Sequence, residues 1–165
     1  MSRLAFVDTH VHFWDLQHPD LRWVWLDPEF DHPQLGPHTV KLQGSNYVAE
    51  DFIAETRSAN VTKVVHVQAA IGSEDRVKES QWLQESADRI GVPHAIIAYS
   101  NLKKPDVEDE LACHVEYTNV RGIRDFSDGD YLIDPDFHRG YGLLEKFGLV
   151  SSFNVEWEEM LKMRD

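Results

Sequence analysis

A single cysteine, Cys113, stands in 165 residues. It excludes an internal disulfide and any zinc cluster built on several thiolates. Basic residues are also scarce: 16 Lys and Arg face 29 Asp and Glu, a formal charge of −13. The acidic excess is spread along the chain, not gathered in a tail. Nucleic-acid phosphates and anionic membrane surfaces need clustered cations, so both are excluded as partners. No apolar run approaches the roughly 18 to 20 residues of a membrane span, and the apolar start, broken by Asp8, is too short for a signal peptide. With the lone cysteine, these absences predict a cytoplasmic protein. There is no GxSxG, Walker loop or CxxC, and no glycine-rich loop after the first apolar segment, which removes several nucleotide-binding and nucleophile-elbow readings.

What is present suffices for one domain. Hydrophobic residues make up 42% and aromatics 11% of the chain, enough to fill a core and too many for wholesale disorder. Five short apolar stretches read as strands: residues 4–12, 63–70, 94–100, 119–125 and 149–155. Their near-continuous apolar character suits strands covered on both faces.

Helical patterns separate them. Residues 49–59 place Phe52, Ile53, Thr56 and Ala59 on one face, and residues 74–90 do the same with Val77, Trp82, Leu83, Ala87 and Ile90. The latter opens on Glu74 and Asp75, where the helix dipole favours anions, and closes at Gly91. A third helix follows Pro105 over residues 106–117. A fourth, over residues 136–147, is opened by Asp134-Pro135 and closed by Gly148, the usual cap chemistry. A further helix starts at residue 157. The one break in rhythm is the long first connection, residues 16–47, whose Trp23, Trp25 and Phe30 predict an ordered loop.

Repeated βα units imply a parallel sheet with right-handed crossovers. That leaves an open doubly wound sheet or a (β/α)8 barrel, which needs about 250 residues. Both keep their chemistry at the carboxyl ends of the strands.

The first strand ends in Asp8-Thr9-His10-Val11-His12. Residues two apart in a strand share a side, so His10 and His12 converge, with Asp8 one step deeper. Two imidazoles aimed at one point are half of a transition-metal site; without metal they can polarise a carbonyl oxygen. Asp8 is placed to orient one of them. His10 and His12 are therefore the catalytic and metal-binding candidates. At the end of the second strand Gln68 can hydrogen-bond a substrate hydroxyl or carbonyl; His66, deeper, reads as structural. Arg121 and Arg124 differ by three and point to opposite sides. Arg124, at the carboxyl end, is the candidate binder of a carboxylate or lactone oxygen, unless a salt bridge to Asp125 or Asp128 occupies it. Asn154 and Glu156 end the fifth strand as weaker candidates. Trp23 and Trp25 either roof a pocket or pin the loop.

The run Asp8-Thr9-His10-Val11-His12-Phe13-Trp14-Asp15 resembles the opening of the amidohydrolase-related family of metal-dependent-hydrolase-like barrels. Trp25-Leu26, Val65-His66-Val67-Gln68-Ala69 and Val120-Arg121-Gly122-Ile123-Arg124 follow in the expected order. Within the family the sequence is similar to the lactonase branch of fuconolactonases and 2-pyrone-4,6-dicarboxylate lactonase. The resemblance implies a (β/α)8 TIM-barrel, hydrolysis of a lactone of a sugar acid or carboxylic acid, and an active site at His10 and His12. Some members bind one divalent metal there, zinc or manganese, while some lactonases of this branch work without one. It also implies that Arg124 binds substrate and that the catalytic aspartate comes from the eighth strand.

By this reading the 165 residues are the N-terminal portion of a single barrel domain, about four to five βα units. The general base lies outside them. Two other readings follow. The same histidine pair serves metal-dependent non-oxidative decarboxylases of aromatic acids in the wider family. A half barrel with open sheet edges also suits a non-catalytic truncated module that assembles with another chain, or a homo-oligomer. In the enzymatic readings the partner is a small-molecule substrate.

Overall fold

Parallel strands need a crossover between each pair, and the chain supplies one for each. The computed structural model describes residues 4–30, 32, 35–126, 130–153, 155 and 157–163. Five strands, β1 (Phe6–Val11), β2 (Val61–Val67), β3 (Ala95–Tyr99), β4 (Val120–Arg124) and β5 (Val150–Ser152), lie in the order of the sequence. Every pairing is parallel. Helices α1 (Ala49–Thr56), α2 (Val77–Ile90), α3 (Val107–His114) and α4 (Pro135–Phe147) fill the four crossovers. Strict sequential order is what a barrel requires; a doubly wound sheet reverses direction at a switch point. The sheet is a curled half-barrel of the (β/α)8 type.

The helices cover one face of the sheet. Val64, Ile96, Ala98, Val120 and Ile123 are buried there with Phe52, Leu83, Leu111, Phe137 and Leu144 in one cluster. The edges are open: Leu4 is 85% and Val150 59% exposed. A complete barrel has no such edges.

Local chemistry sets the helix ends. The Asp134 carboxylate accepts the Asp136 N–H at 2.9 Å, and Pro135 opens α4. Gly91 and Gly148 close α2 and α4 with φ of 82° and 65°, values that cost other residues a Cβ clash. Helices α2 and α3 start later than their patterns predict. Asp75 stands outside α2 and accepts the Val77 N–H at 2.9 Å, and Pro105 lies in the turn before α3. Helix α1 stops at Thr56. The segment from Trp157 is a 3-10 helix ending at Met163, not an α-helix; its Lys162–Glu159 ion pair has the i,i+3 spacing that 3-10 geometry eclipses.

The long first loop is ordered, as its aromatics predict. Trp14 and Tyr47 exchange two backbone hydrogen bonds across its neck, 2.8 and 2.9 Å. Trp14, Leu21, Trp23 and Leu26 form a second cluster against Ala69 and Ala70, beyond the end of β2. The loop thus sits over the carboxyl ends of β1 and β2. No helix among the described residues is long and apolar enough to cross a membrane.

Candidate active site

The strand ends bring His10, His12 and Arg124 together. His10 and His12 leave β1 on the same side, and their Nε2 atoms lie 3.2 Å apart. The His12 Nδ1 is 2.8 Å from the Val67 carbonyl, at the end of β2. A carbonyl only accepts, so His12 carries its proton on Nδ1 and offers a bare Nε2 lone pair. The His10 Nε2–H then donates to it. Two strand ends fix one imidazole, and that imidazole faces the other.

Electrostatics keep the pair neutral. Burial, then the neighbouring His66, push the His12 pKa down to about 4, against the opposing pull of the Val67 carbonyl. His10 is lowered by burial and by the positive charge of Arg124, with Asp8 opposing. Burial lowers Arg124 as well, which leaves a guanidinium charged at any pH of interest. Its Cζ lies over Phe126, 4.5 Å from the ring centroid. Its buried Nε has no hydrogen-bond partner among the described residues.

Other expectations resolve one by one. Asp8 does not orient an imidazole: its Oδ1 accepts the backbone N–H of His10 at 3.1 Å, and the Val67 carbonyl takes the orienting role instead. Gln68 is 3% exposed and its Nε2 has no hydrogen-bond partner among the described residues. His66 is structural, as its depth suggests: fully buried, it links the Phe13 N–H to Glu79. Arg121 is exposed and bonds the Thr118 and Val120 carbonyls, away from the site. Asp125 is buried and accepts the Leu102 N–H at 2.8 Å. Asn154, Glu156 and Asp128 lie outside the described residues.

Both tryptophans pin the loop, and Trp25 does more. Trp23 donates its indole N–H to the Phe13 carbonyl at 3.1 Å. Trp25 donates to the Ala69 carbonyl at 2.9 Å, and its ring stands 6.2 Å from that of His12. Sequence reasoning had no local signal for that wall, because it depends on where a thirty-residue loop folds back. Glu79, which binds the turn after β2, was missed for the same reason.

The pair fits one edge of a divalent-metal shell. Neutral imidazoles are the right donors. Two nitrogens about 2.0–2.1 Å from one tetrahedral ion lie roughly 3.3 Å apart, close to the 3.2 Å between the Nε2 atoms. A hydrogen bond from the far ring nitrogen to a carbonyl is the usual second contact of a metal-binding histidine. Among the described residues no group of three His, Cys, Asp or Glu is placed to hold an ion; further ligands would have to come from elsewhere.

Comparison with known proteins sets this geometry in context. No family model matches the chain. It is 36% identical over 172 aligned positions to the uncharacterized protein y4mH of Sinorhizobium fredii, covering 97% of this chain and 57% of that protein. It is 25% identical to the L-fucono-1,5-lactonase of Burkholderia ambifaria over 78% of this chain and 40% of that enzyme. Among solved structures, an amidohydrolase from Burkholderia multivorans superposes with a TM-score of 0.67 at 20% identity, covering 98% of this chain and 51% of that one. An amidohydrolase 2 from Bifidobacterium longum subsp. infantis gives 0.64 at 23%, covering 97% and 56%. The chain spans about half the length of the proteins it matches. In fold, therefore, this chain is similar to the amidohydrolase barrels over about half of their length.

Proposed function

We propose that this chain is the N-terminal portion of a hydrolase that opens a lactone of a sugar acid or carboxylic acid. The observation that carries the reading is the His10–His12 pair, whose neutral nitrogens meet at 3.2 Å beside Arg124 at the strand ends. The lactonase relative supports the substrate class.

The residues divide the work. Arg124, whose Nε has no partner among the described residues, holds the carboxylate or ring oxygen of the substrate; the Gln68 Nε2, also without a partner among them, donates to a hydroxyl or carbonyl. His10, exposed at the end of β1, turns its N–H from His12 to the lactone carbonyl and steadies the charge that develops on oxygen. His12, fixed by Val67, holds His10 in place and keeps the site's polarity fixed. Trp25 walls the site and keeps bulk water from one side. A divalent ion held by His10 and His12 would supply Lewis-acid polarisation of that carbonyl. The general base that activates water comes from outside these residues.

The test is hydrolysis of a panel of aldonolactones and a pyrone dicarboxylate by the full-length protein, followed by proton release. His10→Ala is expected to lower kcat by at least about 10²-fold, the usual cost of removing an oxyanion-stabilising group. Unchanged turnover in that variant removes the histidine pair from catalysis. Carbon dioxide release from an aromatic acid, with strict zinc or manganese dependence, would move the assignment to the decarboxylases.

A further inference from the structure

We propose that Glu79, acting through His66, is a positioning residue for the histidine pair; this rests on the hydrolase reading above. One carboxylate oxygen gathers three donors. Glu79 Oε1 accepts the N–H of Ala69 at 2.8 Å, the N–H of Ala70 at 3.0 Å and the His66 Nε2–H at 3.2 Å. The other side of the His66 ring, Nδ1, accepts the N–H of Phe13 at 3.2 Å. That acceptor role fixes the tautomer: the proton sits on Nε2 and points at Glu79. Glu79 is 4% and His66 0% exposed, so each bond is made out of water, where an orphaned donor is costly.

Each end of this relay touches a residue adjoining the candidate site. Phe13 follows His12 directly in the chain. Ala69 lies two residues after Val67, whose carbonyl holds the His12 Nδ1–H, and its own carbonyl holds the Trp25 indole. Between them stands Gln68. A single carboxylate from α2 thus locks the end of β1 to the end of β2, and the separation of those two ends sets the aim of His12. Packing alone asks for no acid here. Three donors directed at one oxygen do.

The experiment uses the full-length protein and three variants: Glu79→Ala, Glu79→Gln and His66→Phe. His66→Phe keeps the ring volume and removes both bonds. Two readouts are taken below the melting temperature: kcat and KM for the lactone substrate, and the His12 imidazole N–H resonance in 15N-histidine-labelled protein. Glu79→Ala and His66→Phe are expected to lower kcat about 10- to 100-fold, the range for groups that orient a site residue. KM should move less than about threefold, because substrate contacts remain. The His12 resonance should shift or exchange away. Glu79→Gln, which keeps an acceptor oxygen, should recover most of both. Folded Glu79→Ala and His66→Phe proteins with unchanged kcat and an unchanged His12 resonance overturn the proposal, whatever their melting temperatures. If the wild-type protein hydrolyses no lactone, the functional reading fails separately, and the His12 resonance alone decides whether Glu79 positions it.

Discussion

Two glycines two positions apart in α4 should answer an added methyl in opposite ways. A Cβ on Gly140 would lie 2.0 Å from the Leu102 carbonyl oxygen and 2.8 Å from its carbon. A carbon–oxygen contact settles near 3.3 Å, so helix and loop must part by more than about 1 Å. The obstacle is backbone and cannot rotate away. Nor is the loop free to yield: Arg139 Nη2 binds the Lys103 and Lys104 carbonyls at 3.1 and 2.9 Å, and Leu102 donates to the buried Asp125 at 2.8 Å.

Overpacking of this kind costs about 1–3 kcal/mol, offset by roughly 1 kcal/mol of helix propensity when Gly becomes Ala. With the contact against backbone, Gly140→Ala should fall at the unfavourable end, about 2 kcal/mol net loss. A Cβ on Gly142 meets nothing within 4 Å, so Gly142→Ala keeps the propensity gain and stabilises by about 0.5–1 kcal/mol. The assay is urea unfolding followed by circular dichroism, comparing midpoints of the two variants in parallel. Because Leu102 is tied to Asp125 beside Arg124, the Gly140→Ala protein should also bind substrate more weakly. Equal midpoints for the two variants, or a Gly140→Ala protein more stable than wild type, would refute the close approach of α4 to this loop.

Two further outcomes are expected. Arg124→Met should raise KM about 10- to 100-fold, the worth of a hydrogen-bonded charge, with kcat less affected; an unchanged KM in steady-state assays takes Arg124 out of substrate binding. Stability should fall in mild acid. The folded chain holds His12 neutral down to about pH 4, whereas the unfolded chain binds that proton near 6.5. Below 6.5 the unfolded state gains protons the folded state refuses, so stability drops as pH falls from 6.5 to 4 and then levels for this group. The whole shift is worth about 3 kcal/mol, and burial lowers His114 in the same direction. Urea midpoints at pH 7.5, 5.5 and 4.5 should fall less steeply for His12→Asn than for wild type; identical slopes would contradict the burial of that imidazole.

The sequence alone determined the elements and the aim of the first strand. Alternating βα segments imply a parallel sheet through local pattern, and caps such as Asp134, Gly91 and Gly148 act within one turn, so their signal is local too. The convergence of His10 and His12 follows from the period of two in a strand and needs no tertiary information. So does the separation of Arg121 from Arg124. Local pattern does not encode which strands are neighbours and left the doubly wound sheet open; the family resemblance implied the barrel, and the sequential strand order bears that out.

Contacts between residues distant in sequence were decided only by folding. The Val67 carbonyl reaches His12 across 55 positions and replaces Asp8 as its orienting partner. Trp25 comes to stand beside His12 because the long loop closes at Trp14 and Tyr47. Glu79 looks like any acidic residue in an exposed first turn, yet it is buried and gathers three donors. A backbone hydrogen bond leaves no mark on side-chain identity, and a buried carboxylate differs from a solvated one only in what surrounds it. Those parts of the site had to wait for the strands to meet.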